Sequence, residues 1–150
     1  MQVHLCRHLF DAFESDDCRI FIEPCFRDAQ GSRSPDMVIC DSQNIIGIIE
    51  LKYMPRKPPK YKKDLRTLNW FVESADTVVL SNHRYFGIDT FPMQNYKVAD
   101  DAVLCWGGVY CGPRVKIEEH ELARSLGSRF LCLHAVTSAE QAPEIFPASC

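Results

Sequence analysis

Two short apolar runs, Met37-Val38-Ile39-Cys40 and Ile45-Ile46-Gly47-Ile48-Ile49, stand only four polar residues apart, at Asp41-Ser42-Gln43-Asn44. Runs of this length rich in β-branched residues, broken by turn formers, read as two strands of an antiparallel hairpin. With Asp36 facing Glu50, Val38 faces Ile48 and Cys40 faces Ile46, and Ser42-Gln43-Asn44 forms the loop. Side chains alternate with period two. Asp36, Val38, Cys40, Ile46, Ile48, Glu50 and Lys52 then share one face, and Met37, Ile39, Ile45, Ile49 and Leu51 the other. Both faces are apolar, so the strands belong in the middle of a sheet with helices on each side. Only the end carrying Asp36, Glu50 and Lys52 is polar. Polar groups at the end of a buried face must be paired or bind something.

The rest of the chain fits around that hairpin. Residues 2–14 carry Val3, Leu5, Cys6, Leu9, Phe10 and Phe13 at helical spacing. Residues 19–26 read as a strand and 27–34 as a turn or loop. A second helix is expected over 60–75, with Tyr61, Leu65, Leu68, Val72 and Ala75 as its apolar stripe and Lys62, Lys63, Arg66, Asn69 and Glu73 turned away. A strand at 77–81 follows, which suits a crossover connection in a mixed sheet. Residues 82–100 read as irregular. Strands are expected over 102–111, 114–117 and 129–136, a short helix over 118–126, and a loosely held tail over 142–150. The expectation is one domain over 1–150, with its core at about 3–81 and a C-terminal elaboration at about 101–136.

At 46% hydrophobic residues the chain has enough apolar surface for a core. No run is long enough to span a membrane and residues 1–8 lack the apolar stretch of a secretion signal, so a cytoplasmic location is expected. In that setting most of the eight cysteines, none in a CxxC pair, read as small buried reduced hydrophobes rather than disulfides or zinc ligands. His4 and His8 read as a helix-surface pair, and Trp70 and Trp106 as core. The net charge is −3, but seven basic residues and one acid lie between Lys52 and Arg66. A cationic patch on an acidic body suits one anionic partner at one place. Arg56, Lys57, Lys60, Lys63 and Arg66 are the candidate phosphate contacts, and Tyr53 and Tyr61 can stack on an unpaired base.

Helix, three strands, helix and strand, with Pro35-Asp36 and Glu50-Leu51-Lys52 on the two middle elements, resembles the PD-(D/E)XK nuclease superfamily, which includes restriction endonucleases and Holliday-junction resolvases. The resemblance covers residues 3–81. It implies an α/β fold with a restriction-endonuclease-like αβββαβ core, a mixed central sheet flanked by helices, and extra C-terminal strands. It implies a metal-dependent nuclease acting on DNA, with Asp36, Glu50 and the Leu51 backbone carbonyl holding Mg²⁺ or Mn²⁺ and Lys52 as catalytic lysine. Glu14 is the candidate for the further acid that some members take from the first helix. Two hard carboxylates match the way Mg²⁺ is usually held. A homodimer would place two sites on a duplex. Three other readings use the same residues: an ion pair at a strand end without chemistry, a nucleic-acid-binding module without cleavage, and a domain whose cationic patch docks an acidic protein.

Overall fold

The computed structural model describes residues 5, 7–9, 11, 18–28, 31–74, 77–80, 94–137 and 144–147. Among these, nine strands form one mixed sheet: β1 (Arg19–Ile22), β2 (Phe26–Asp28), β3 (Gly31–Arg33), β4 (Met37–Cys40), β5 (Asn44–Met54), β6 (Thr77–Leu80), β7 (Gln94–Cys111), β8 (Phe130–Thr137) and β9 (Glu144–Pro147). Helix α1 (Lys62–Glu73) follows β5, and the short α2 (Glu121–Arg124) lies between 3₁₀ turns at Ile117–Glu119 and Gly127–Arg129. The fold is α/β, a mixed multistranded sheet flanked by few helices. No helix among the described residues is long and apolar enough to cross a membrane.

The sheet runs β1-β4-β5-β7-β6-β2-β3, with β8 on the other half of β7 and β9 beyond it. β1, β4 and β5 pair antiparallel in that order, and the β2–β3 hairpin between β1 and β4 joins the opposite edge beside β6. β7 is the spine. One edge of it runs parallel to β5, its start pairs antiparallel with β6, and its last eight residues pair parallel with β8. The partner that returns parallel to β5 is therefore β7, not the expected strand at 77–81. Four residues of β6 cannot satisfy an eleven-residue edge, whereas β7 supplies ten paired positions along it.

The hairpin register holds where the apolar pattern is strongest: Met37 pairs Ile49, Val38 pairs Ile48 and Ile39 pairs Gly47. It breaks at the turn, where Cys40 pairs Ile45 instead of Ile46. The Asp41 carboxylate accepts the N–H groups of Gln43 (2.8 Å) and Asn44 and the Asn44 side-chain amide (3.1 Å). These donors hold the Asp41 carboxyl below its usual pKa. This Asx turn starts β5 at Asn44, inside the expected loop, and a bulge absorbs the extra residue. A one-residue slip exchanges the faces. Ile45 therefore joins Val38 and Ile48 in the core, and Ile46 lines the opposite face with Ile39 and Ile49.

Other expectations need correction. Residues 19–26 split into β1 and β2, because Glu23 takes a left-handed φ of 46° and Pro24 offers no N–H to a ladder. Residues 27–34 contain the β2–β3 hairpin. Residues 94–100, expected to be irregular, are strand; residues 82–93 lie outside the described residues. Residues 114–117 form no strand, and 118–126 hold one short helical turn in place of a continuous helix. Residues 144–147 are tied to β8, not loose. Asn69 is buried, its amide donating to the carbonyls of Leu65 (2.9 Å) and Leu122 (2.7 Å). Of the first helix, Leu5, Arg7, His8, Leu9 and Asp11 are described and helical.

The core lies on the face shared by Val38, Ile48, Leu104, Trp106 and Tyr110, beneath Leu65, Leu68 and Phe71 of α1. On the opposite face Leu5 and Leu9 join Ile39, Ile49, Leu51 and Leu133 around an apolar cavity of about 430 Å³. Trp106 lies flat over Gly108, where a Cβ would sit 2.7 Å from the indole Cζ3. Trp106 is fully buried and cannot swing away. Gly108→Ala is expected to cost about 2 kcal/mol or more in urea unfolding, and Gly47→Ala less than about 1 kcal/mol, because it meets only the tip of Ile39 at 3.3 Å.

Candidate metal centre

Asp36 immediately precedes β4, fixed from both sides. Its carbonyl accepts the Glu23 N–H (2.9 Å) and its Oδ2 accepts the Leu51 N–H (2.6 Å). Glu50, one residue before Leu51, projects to the core face, where it is 6% exposed. Among neighbouring charges, that of Asp36 acts most strongly on its carboxyl. The two acids expected to converge are thus brought together. An extended residue points its N–H and C=O to the same edge, so the Leu51 carbonyl also faces the Asp36 side, past the end of the β4–β5 ladder.

Lys52 lies on the same face as Glu50, but its closest acid is neither expected one. Its Nζ is 2.9 Å from Oδ1 of Asp64. Asp64 sits in the first turn of α1 and is 3% exposed. Its Oδ2 accepts the Trp106 indole N–H (3.1 Å). A carboxylate in the first turn of a helix also meets the positive end of the helix dipole. Sequence reasoning saw Asp64 only as the single acid among lysines. Its role becomes visible once parallel pairing sets Trp106 beside Glu50.

Three carboxylates and one ammonium therefore gather where β5 runs under the start of α1. The excess negative charge falls on Glu50. Burial first, then the charges of Asp36 and Asp64, push its carboxyl up to about 8, and Lys52 only partly opposes this. Without a cation Glu50 holds its proton well above the usual carboxylate range.

Arg56, Lys57, Lys60, Lys63 and Arg66 are all exposed, on the 55–61 connection and the outer side of α1. Among the described residues none of them is ion-paired. Tyr53 is 64% exposed beside Lys52. Tyr61 is half-buried, with its ring against the edge of His120. Trp70 and Trp106 are buried as expected. Glu14 and His4 lie outside the described residues, as do Cys6 and Cys150; His8 is exposed. None of the six described cysteines forms a disulfide. Burial pushes Cys40, Cys105 and Cys132 up to about 12. His134 Nε2 lies 3.0 Å from Cys132 Sγ. Both sit on one strand two residues apart, a spacing that places them on one face. No protein family, curated protein or solved structure matches the chain.

Because Glu50 binds its proton more tightly folded than unfolded, its contribution favours folding at low pH. That contribution fades as pH rises from the free-carboxyl value of 4.5 through about 8. In chelator-treated protein, stability is expected to fall by a few kcal/mol between about pH 5 and about pH 9. Glu50→Gln, neutral throughout, should flatten that slope in chemical denaturation; an unchanged slope would contradict the assignment.

Proposed function

We propose that this chain is a metal-dependent nuclease of the PD-(D/E)XK type, built on a restriction-endonuclease-like core and hydrolysing phosphodiester bonds in DNA. One observation carries the reading: Asp36, locked to the Leu51 N–H at the entry to β4, and the buried Glu50 beside Leu51 on β5 bring their carboxyls to one end of the sheet, with the Lys52 ammonium on the same face as Glu50. Antiparallel pairing of β1, β4 and β5, with α1 after β5 and β7 returning parallel to it beyond β6, supports a mixed-sheet core of this kind.

The residues present fit a hard divalent cation. A buried Glu50 whose carboxyl is pushed up by burial and by the charges of Asp36 and Asp64 marks a cation-deficient oxygen cluster, and Mg²⁺ needs one or two carboxylates with waters completing its shell. Asp36, Glu50 and the Leu51 carbonyl would hold it. When bound, the ion neutralises phosphate charge and makes water more acidic. The chain's own groups set the geometry. The Leu51 N–H locks the Asp36 carboxylate, so one of its oxygens is committed to the peptide. Asp64 holds Lys52 at one end of the cluster, from where its remaining N–H donors reach an attacking water or a phosphate oxygen. Arg56, Lys57, Lys60, Lys63 and Arg66 contact flanking phosphates, which positions a duplex without reading its sequence.

A second reading, a nucleic-acid-binding module without cleavage, is favoured by the Lys52–Asp64 pair itself, which satisfies the ammonium without a substrate. Plasmid nicking separates the two. With Mg²⁺ or Mn²⁺ the nuclease reading expects nicking that EDTA abolishes. It also expects losses of about 10²-fold or more in Asp36→Asn, Glu50→Gln and Lys52→Ala. Full activity in Lys52→Ala removes that residue from the chemistry. No nicking with any metal, together with intact DNA binding, supports the second reading.

The basic patch is tested apart from cleavage. DNA affinity measured against salt in chelator should fall steeply. Replacing Lys60, Lys63 and Arg66 together should flatten the log–log slope by about 0.9 for each phosphate that is no longer neutralised. A slope unchanged by the triple replacement places the DNA elsewhere.

A further inference from the structure

The geometry assigns a second cation site, for Zn²⁺, to Glu118, Cys132 and His134, on the far side of Trp106 from Lys52. Cys132 and His134 alternate on β8, so both side chains enter the core face, where they are 0% and 1% exposed. Glu118 arrives from the 3₁₀ turn that follows β7. One donor atom from each residue lies within 4.8 Å of the other two. Cys132 Sγ is 3.0 Å and Glu118 Oε2 is 3.7 Å from His134 Nε2. Two ligands on one tetrahedral zinc, with bonds of about 2.3 Å to sulfur and 2.0 Å to nitrogen, stand about 3.5 Å apart. The two distances to His134 Nε2 bracket that spacing.

Two further observations point to a cation rather than a closed hydrogen-bond network. Glu118 Oε1 is taken by Arg114 at 2.8 Å, but Oε2 is buried with no hydrogen-bond partner. An orphaned carboxylate oxygen aimed at an imidazole nitrogen and a thiol is a costly arrangement that a metal resolves. The imidazole is also held as a ligand would be. His134 Nδ1 is 2.8 Å from the Tyr110 hydroxyl, whose oxygen is itself fixed by the Val115 N–H at 3.0 Å. Zinc on Nε2 would require the proton on Nδ1, where the Tyr110 oxygen at 2.8 Å would accept it. An outer partner of this kind orients histidine ligands in metal sites.

Thiolate, imidazole and carboxylate select zinc over magnesium. The Asp36–Glu50 pair offers only hard oxygen, so the two sites sort different metals. Binding replaces the thiol proton with the metal and releases that proton to solvent; no electron is transferred. Three protein ligands leave a fourth position for water. Glu118 is 33% exposed, which opens the site to solvent on its side.

The test uses the whole chain and zinc or cobalt alone. Protein purified without chelator is expected to carry about one equivalent of zinc by elemental analysis. Stripped protein titrated with Co²⁺ should develop tetrahedral visible absorption and a thiolate-to-cobalt charge-transfer band, saturating near one equivalent. Cys132→Ser should lose the charge-transfer band. Because Cys132 is buried and that variant can fail to fold, Glu118→Gln gives the second arm. It keeps the shape and is part-exposed, and it should weaken zinc in a chelator competition about 10-fold or more. Folded stripped wild type with no thiolate band overturns the site, and so does equal zinc affinity in Glu118→Gln. Plasmid nicking plays no part in any readout, so the site stands or falls separately from the nuclease reading.

Discussion

Parallel pairing of β5, β7 and β8 decides where the polar groups of this molecule stand. Glu50, Trp106 and Cys132 occupy one row across the three strands, and Lys52, Gly108 and His134 the next but one. All point to the face under α1. A slip of one residue in β7 would turn Trp106 out of the core, and the same slip in β5 or β8 would carry a pair of polar groups to the apolar face lined by Leu51 and Leu133. Trp106 is the divider. It fits only because Gly108 leaves room beneath its ring, and it makes contact in both directions: its N–H to Asp64, its ring 5.5 Å from that of His134.

The sequence patterns captured what is local and missed what is held from a distance. The hairpin register was legible from Met37 to Ile39 because both strands alternate cleanly there. It failed past Cys40 because the turn is set by the Asp41 carboxylate, a hydrogen-bond preference that apolar pattern does not record. The start of β7 was invisible. Gln94, Asn95, Lys97, Asp100 and Asp101 carry no strand pattern, and the segment is extended because β5 and β6 offer it edges. Tertiary pairing overrides propensity in such strands.

The site divides the same way. Asp36 and Glu50 could be paired on paper because a hairpin joins them. Asp64 could not, because an acid flanked by lysines at the start of a helix reads as a solvated charge. Its burial depends on Lys52, twelve residues back, and on Trp106, forty-two residues on. Asn69 was hidden for the same reason: its partners, Leu122 and Ser125, lie beyond the next strands. Cys132 and His134 fall within the expected strand at 129–136, but Glu118, which meets them, comes from a turn that the sequence presented as a helix.

Charge imbalance links the fold to the chemistry proposed for it. Asp36, Glu50 and Asp64 outnumber Lys52 in a region where Glu50 and Asp64 are almost closed to water. Desolvated like charges are tolerated only if one takes a proton or a cation enters. The metal-free protein takes the first course at Glu50. A divalent ion offers the second, and it would also reverse the local sign, since a bare carboxylate cluster repels a phosphodiester. The exposed basic residues on the 55–61 connection and α1 cannot neutralise the buried cluster at close range, but they can attract a polyanion to its border. In the nuclease reading the two devices are therefore complementary: the cationic rim supplies affinity over a Debye length, and the acidic interior accepts a phosphate only after it has accepted a metal.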